Sequence, residues 1–227
     1  MEGSVAGTDV ALVCMPYASI TRPSLALGLL ASVLRKAGVR ARVTYPNLWF
    51  AEQLGIRLYH VCSHQIPTDF LAGERTFAEA AFGDDRPDDR EFLRAVAERH
   101  GMVVRYLDEQ GATRLVQALR ETRRQATAFV DDAARRVLAT GARIVGCTST
   151  FEQHAASLAL LQWLKGRDPG LVTLLGGANC EEEMGRATHR LFPFVDYVVS
   201  GEADGLVAPL CRAILADLHD MAAAVED

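Results

Sequence analysis

An α/β fold built on a five-stranded parallel sheet is predicted by three features of the sequence. Apolar runs at 9–15, 143–148, 171–176 and 196–200 are long enough for buried strands and too short for helices. The later runs break into Gly, Ser or Thr and are followed by helical patterns, as when a strand feeds a loop at its carboxyl end and a helix returns over the sheet. Between residues 46 and 140 this alternation stops, and the stretch reads as helices inserted into a connection that needs far fewer residues.

The elements follow in order. Asp9–Met15 is apolar from Val10 onward, as in a central strand buried on both faces, and Pro16 ends it. Pro23 suits a first helical turn; Ala26, Leu30, Val33, Leu34 and Ala37 recur at helical spacing, and Gly38 is suited to the C-terminal cap. Arg40–Tyr45 alternates polar and apolar residues, as a strand nearer the sheet edge does. In the insertion, Asn47–Arg57, Thr76–Phe82 and Glu91–His100 read as short amphipathic helices, and 83–90 as a solvated acidic turn. Thr113–Thr140 reads as a long helix striped by Leu115, Leu119, Ala126, Phe129, Ala133 and Val137 and ended by Gly141. Strands at Arg143–Thr148, Leu171–Gly176 and Asp196–Ser200 then alternate with helices at Gln153–Gly166, Glu181–Leu191 and Asp204–Leu218. Five strands in this sequence fit a flavodoxin- or Rossmann-like sheet of order 2-1-3-4-5, with helices on both faces. The chain thus reads as one domain over 9–218, carrying 46–140 as a helical insertion or cap, with flexible ends at 1–8 and 219–227. Trp49 and Phe50 are expected at the hinge of that cap; its apolar residues Leu58, Phe77, Phe82, Leu93, Leu115 and Phe129 are expected to be buried in it, with some of the apolar face left exposed and favouring self-association.

Bulk properties narrow the function. The 227 residues are 49% hydrophobic, enough for a sizeable core. A net charge of −5 argues against a nucleic-acid partner. No apolar run reaches the ~20 residues that span a bilayer, and Met1-Glu-Gly-Ser4 does not open like a signal peptide. The five scattered cysteines read as reduced thiols of a cytoplasmic protein.

Four loops converge at the carboxyl ends of the strands: 16–24, 148–153, 176–181 and 200–204. Ligands of open α/β sheets bind there. Thr148, Ser149 and Thr150 bring hydroxyls, and Gly176 and Gly177 leave the backbone open to close approach. No Gly-x-Gly-x-x-Gly or Walker-type loop is present, and the carboxylates of Gly201-Glu-Ala-Asp204 repel phosphate while accepting hydrogen bonds from ligand amides. The same Gly, Ser and Thr residues are also ordinary turn residues.

Ala11-Leu-Val-Cys-Met-Pro16 with Arg22-Pro-Ser-Leu-Ala-Leu-Gly28, Asn47-Leu-Trp-Phe-Ala-Glu52, Gly73-Glu74 with Ala81-Phe-Gly83, Gly146-Cys-Thr-Ser-Thr-Phe151 with Gln153-His154, and Gly176-Gly-Ala-Asn-Cys-Glu181 form a set that carries a resemblance. So do His189-Arg190, Phe192-Pro-Phe-Val-Asp-Tyr-Val-Val-Ser-Gly-Glu202 and Asp204. Over about residues 10–210 the chain resembles the amino-terminal cobalamin-binding region of cobalamin-dependent radical S-adenosylmethionine enzymes that mature ribosomally made peptides. Arg75 departs from the aromatic residue expected after Gly-Glu.

The resemblance implies cobalamin held by a Ser/Thr loop and a Gly-Gly loop, with Thr148–Thr150 along the corrin edge or the nucleotide tail and Gly176 and Gly177 leaving room for the tail. The Asp-x-His-x-x-Gly motif of many cobalamin domains is replaced by Pro16-Tyr-Ala-Ser-Ile-Thr-Arg22, so the resemblance implies base-off, His-off cobalt with no protein imidazole below it and a weak or absent lower ligand; no metal-ligating residue is assigned. It also implies a methyl carrier for peptide C-methylation. The 4Fe-4S cluster and S-adenosylmethionine would belong to a radical S-adenosylmethionine domain in cis or in trans, because Cys-x-x-x-Cys-x-x-Cys is absent here, and the precursor peptide would be the substrate. The chain alone is therefore expected to have no catalytic residue.

The rim loops and the resemblance together bring forward Tyr17, Ser19, Arg22, Thr148, Ser149, Thr150, Phe151, Gln153, Gly176, Gly177, Ala178, Asn179, Ser200, Gly201 and Glu202 as cobalamin-binding residues. Some have bland alternatives that stand open. His154 serves equally as a hydrogen-bonded structural residue or a corrin contact, Asn179 and Glu181 as helix caps, and Arg22 as a surface residue. His60, Cys62 and His64 lack a fourth partner for a metal site. Two other functional classes remain beside the methyltransferase reading: a stand-alone cobalamin sensor, carrier or docking module, and a domain of this shape that binds nothing and mediates assembly.

Overall fold

In the computed structural model, which describes residues 7–66, 68–83 and 109–226, five strands form one parallel sheet in the order β2-β1-β3-β4-β5. The strands are β1 (Val10–Val13), β2 (Ala41–Thr44), β3 (Ile144–Thr148), β4 (Val172–Gly176) and β5 (Tyr197–Val199). The expected turn at 83–90 (from residue 84 onward), the expected helix at 91–100 and Leu93 lie outside the described residues.

β1 sits centrally, and all four of its residues are buried because each face of the sheet is covered. Val10 and Leu12 face a core shared with α1 (Leu25–Lys36) and α8 (Val207–Glu226). Ala11 and Val13 face the opposite core, shared with α2 (Pro46–Leu54), α4 (Ala72–Phe82), α5 (Glu109–Leu138) and α6 (His154–Arg167). The short helix α3 (Ile56–His60) and a π-helical turn at Val61–Gln65 connect α2 to α4, and α7 (Glu182–Leu191) returns the chain to β5. At the amino end of the sheet, Asp196 anchors the edge. Its Oδ2 accepts from Lys165 Nζ at 2.7 Å and from the Thr173 amide at 2.8 Å.

Three expectations need correction. Pro23 does not enter the first helical turn: Ser24 is the N-cap, its hydroxyl accepting from the Leu27 amide at 3.3 Å, and Pro23 lies one residue outside. The buried stripe of α1 is Leu27, Ala31 and Leu34, with Leu30 partly buried against the same core, while Ala26 is exposed, because the helix turns it toward a gap at the strand ends. The final helix continues to Glu226, past the end expected at Leu218.

The insertion is not a cap laid over a finished domain. Phe50, Tyr59, Phe77, Phe129, Val130 and Val137 are buried in the same core as Val13, Val145 and Leu175 of the sheet. Phe50 and Phe129 rings meet at 4.5 Å, and Phe50 and Phe77 at 5.2 Å. The carboxyl half of α5 serves as the β2–β3 crossover helix. Phe77 is fully buried, as its place in the apolar stripe requires, whereas Phe82 is half exposed. Phe50 is fully buried too, and the neighbouring Trp49 is covered by the Arg136 guanidinium 4.9 Å from its ring centre.

Candidate functional site

The carboxyl ends of β1, β3 and β4 carry two adjoining cavities, with Thr148 and Ala26 in the walls of both. The first is an apolar slot of about 180 Å³ between the sheet and the α1/α8 layer. Leu12, Gly146 and Leu174 form its floor, Ala26, Leu29, Leu30, Val207 and Leu210 its walls, and Gly201–Asp204 its mouth. Gly146 is what opens it. A Cβ there would meet Leu12 and Leu174 no closer than 3.4 Å, so a side chain is sterically possible and would occupy the slot. The second cavity is a basin of about 450 Å³ above the strand ends with a mixed lining, in which Ser19, Arg22, Ser63, Thr68, Thr150, Glu152 and Gln153 bring polar groups beside Cys14, Tyr17 and Phe151.

The β3–α6 loop shapes both. Gln153 is buried; its side-chain amide donates to the Met15 carbonyl at 2.6 Å, and its Oε1 accepts from the Thr150 amide at 3.2 Å. This bond fixes the loop against the end of β1. Phe151 projects from the loop with 70% exposure and a left-handed backbone, φ 50°. Its carbonyl is held by Asn179 Nδ2 at 2.7 Å.

Beneath the loop lies a pair of crossed helix caps. Glu74, in the first turn of α4, accepts the His154 and Ala155 amides at the start of α6, at 2.9 and 2.5 Å. Glu152, just before α6, is faced in return by the Ala72 and Gly73 amides at the start of α4. Negative charge at each amino end is favourable. The two chains cross so closely that a Cβ on Gly73 would lie 2.5 Å from Glu152 Cβ and 2.6 Å from its carbonyl oxygen, which only glycine permits. Burial raises both carboxyls, opposed in each case by the capping amides; Glu152 is pushed up to about 7, with Glu74 adding to the rise.

The rim residues expected from the sequence divide. Tyr17, Ser19, Arg22, Thr150, Phe151 and Gln153 line the basin, Gly176, Gly177, Gly201 and Glu202 the slot, and Thr148 both. Ser149, Ala178, Asn179 and Ser200 line neither. Ser149 is fully buried, with Oγ held by His154 Nδ1 at 2.8 Å and Asn179 Nδ2 at 3.2 Å. Ala178 is exposed. Ser200 caps α7 by accepting the Glu182 amide at 2.9 Å. Gly177 has a packing role as well: at φ 108°, a Cβ would lie 2.6 Å from the Ser149 carbonyl oxygen, so this glycine lets two loops pack together at the edge of the slot.

His154 spans Ser149 and Thr188, whose Oγ1 lies 3.3 Å from Nε2, and burial lowers its pKa, which keeps it neutral. Among the described residues no histidine lines either cavity. Cys62 is fully buried while His60 and His64 are exposed and stacked at 4.8 Å, so the three do not converge on a metal. Among the described residues no group of three or more His, Cys, Asp or Glu is placed to hold a metal ion, and no helix is long and apolar enough to cross a membrane.

The sequence reading missed Gly146, Cys14, Glu152, Ser63, Thr68 and the α1 and α8 walls. A glycine in the middle of an apolar strand is a legible sign of close approach. Glu152 gave no such sign, because its environment is made by α4, distant in sequence. No model of a known protein family, no curated protein and no solved structure matches the chain.

Proposed function

We propose that the chain is a cobalamin-binding domain serving radical S-adenosylmethionine peptide C-methylation, with the cofactor base-off and His-off. The observation that carries this reading is an apolar slot adjoining a second, more open basin, with Thr148 and Ala26 in the walls of both. A cobalamin has two unlike parts, an apolar benzimidazole at the end of a nucleotide tail and a broad ring edged with amides. The slot suits the first and the basin the second. Leu12, Leu174, Leu30 and Leu210 would hold the aromatic base by burial. Ser19, Thr150 and Arg22 offer hydrogen-bonding groups to amides around the basin. His154, the histidine nearest the β3–α6 loop, is engaged by Ser149 and Thr188, which supports cobalt without this imidazole. Bound cobalamin supplies a transferable methyl group. The cluster and S-adenosylmethionine fall to a radical S-adenosylmethionine domain, in the same polypeptide or a partner, which would also meet the peptide.

Incubation with hydroxocobalamin followed by desalting tests the reading. Wild-type protein should retain a corrin absorption spectrum; a colourless product overturns it. Gly146→Val, which fills the slot, should keep its circular dichroism and lose about tenfold or more in affinity, since overpacking costs typically 1–3 kcal/mol. Unchanged affinity in the folded variant would refute the slot as the place of the tail.

A further inference from the structure

The floor of the slot is a strip across three strands. Leu12 of β1, Gly146 of β3 and Leu174 of β4 are register partners in the parallel sheet, so their side-chain positions share one face. The place a Cβ would take on Gly146 is 3.4 Å from Leu12 and 3.7 Å from Leu174, so hydrocarbon flanks it on both sides. The backbone of this floor is already engaged: β1, β3 and β4 each lie between two neighbours, and their amides and carbonyls are used in the ladders. Leu29 and Leu30 of α1 and Val207 and Leu210 of α8 bring only hydrocarbon to the walls. The polar side chains of the lining stand elsewhere. Thr148 lies where the basin adjoins, Glu202 and Asp204 are exposed at the mouth, and the Cys147 side chain is buried in the opposite core. An apolar cavity of about 150 Å³ can stay dry and take an aromatic ring; this one has about 180 Å³.

We propose that the slot sorts cobamides, the corrinoids that differ from cobalamin in the tail base, by the hydrogen-bonding groups of that base: it admits benzimidazole and phenolic bases and rejects purines. This rests on the cobalamin reading above and on the tail entering the slot. Adenine brings an amino group and several ring nitrogens, all hydrogen-bonded in water. Seated over Gly146 between Leu12 and Leu174, they would meet neither a free backbone group nor a polar side chain. Polar groups buried without partners are costly, so the purine is selected against although its size is similar. Dimethylbenzimidazole gives up a lone ring nitrogen, and p-cresol has none to give up. The discrimination comes from what the site lacks, which needs no group placed to repel the wrong base.

The probes are p-cresolyl cobamide, adeninyl cobamide and cobinamide, which has no nucleotide tail. Their dissociation constants are measured for wild type, Leu210→Gln and Leu29→Gln. Wild type should bind p-cresolyl cobamide about tenfold or more tightly than adeninyl cobamide. Cobinamide should bind more weakly than p-cresolyl cobamide, because it leaves the slot empty. Either glutamine brings an amide to the wall, able to donate to a purine nitrogen and accept from its amino group, and should narrow the ratio severalfold. Comparing ratios between wild type and variant cancels any difference between the free cobamides. Leu29 is 49% exposed, so Leu29→Gln keeps the test open should Leu210→Gln not fold. Equal binding of the two cobamides by wild type, cobinamide binding as tightly as p-cresolyl cobamide, or a ratio unchanged in every variant that folds overturns the sorting role while leaving corrinoid binding intact. Failure of wild type to retain hydroxocobalamin overturns the cobalamin reading itself.

Discussion

Glu152 carries two tensions at once: it caps α4 and it is buried beside a second acid, Glu74. Its carboxyl has an ordinary value of 4.5 and stands at about 7 in the fold. The folded state therefore holds the proton more tightly than the unfolded chain. The stability linked to this group is fully present below about pH 4.5 and is lost as pH rises through about 7. Glu152→Gln should accordingly be more resistant than wild type to urea at pH 8, by about 1–2 kcal/mol after allowance for screening at the basin, and lose that advantage by about pH 5. Urea midpoints across the range check this, and a difference independent of pH would contradict it. Gly73 and Gly177 show the same kind of constraint in steric form. Both look like loop glycines in the sequence, yet each is required by the backbone of a residue far away in the chain, Glu152 and Ser149 respectively.

Among the elements, α4 and α5 decide whether the insertion is ornament or scaffold. The stripe Ala126, Phe129, Ala133 and Val137 was legible from its spacing, and it is buried. What the spacing did not show is that this stripe packs on the sheet directly, with Phe77 of α4 filling the space between α5 and the β1 loop. Phe77→Ala should therefore destabilise the whole domain by about 3–5 kcal/mol, the cost of emptying a large core site. A loss below about 1 kcal/mol in chemical denaturation would restore the view of α4 as a peripheral cap. The same core includes Tyr17, whose ring lies 5.0 Å from Tyr59 and 5.8 Å from Phe50, so the first rim loop is anchored by the insertion.

At the scale of the whole molecule, the slot lies between the sheet and the α1/α8 layer and the basin beside α1 and the insertion, so a ligand filling both would touch elements from both helical layers. Hydroxocobalamin at about 100 times its dissociation constant should raise the midpoint of thermal unfolding by about 5–10 °C, with little rise for Gly146→Val. Scanning calorimetry reads this directly, and no shift in wild type would count against the proposed binding mode. The sequence by itself determined the sheet. Apolar runs such as 9–15, the glycine and hydroxyl loops after β3 and β4, and the helical stripes are local patterns with periods of their own, and together they specified five parallel strands in the order 2-1-3-4-5. It also placed Thr148, Thr150, Gly176 and Gly201 on the correct rim, because strand ends in such a sheet lie together. Only the tertiary structure decided which rim residues reach the cavities and which are spent on packing. Ser149 and Asn179 turn inward to hold a loop, while Gly146 and Glu152 define the slot and the basin. The reason is that a cavity is made by what does not meet. It depends on the spacing of α1 from the sheet and on the crossing of α4 with α6, and these long-range distances leave no period in the chain.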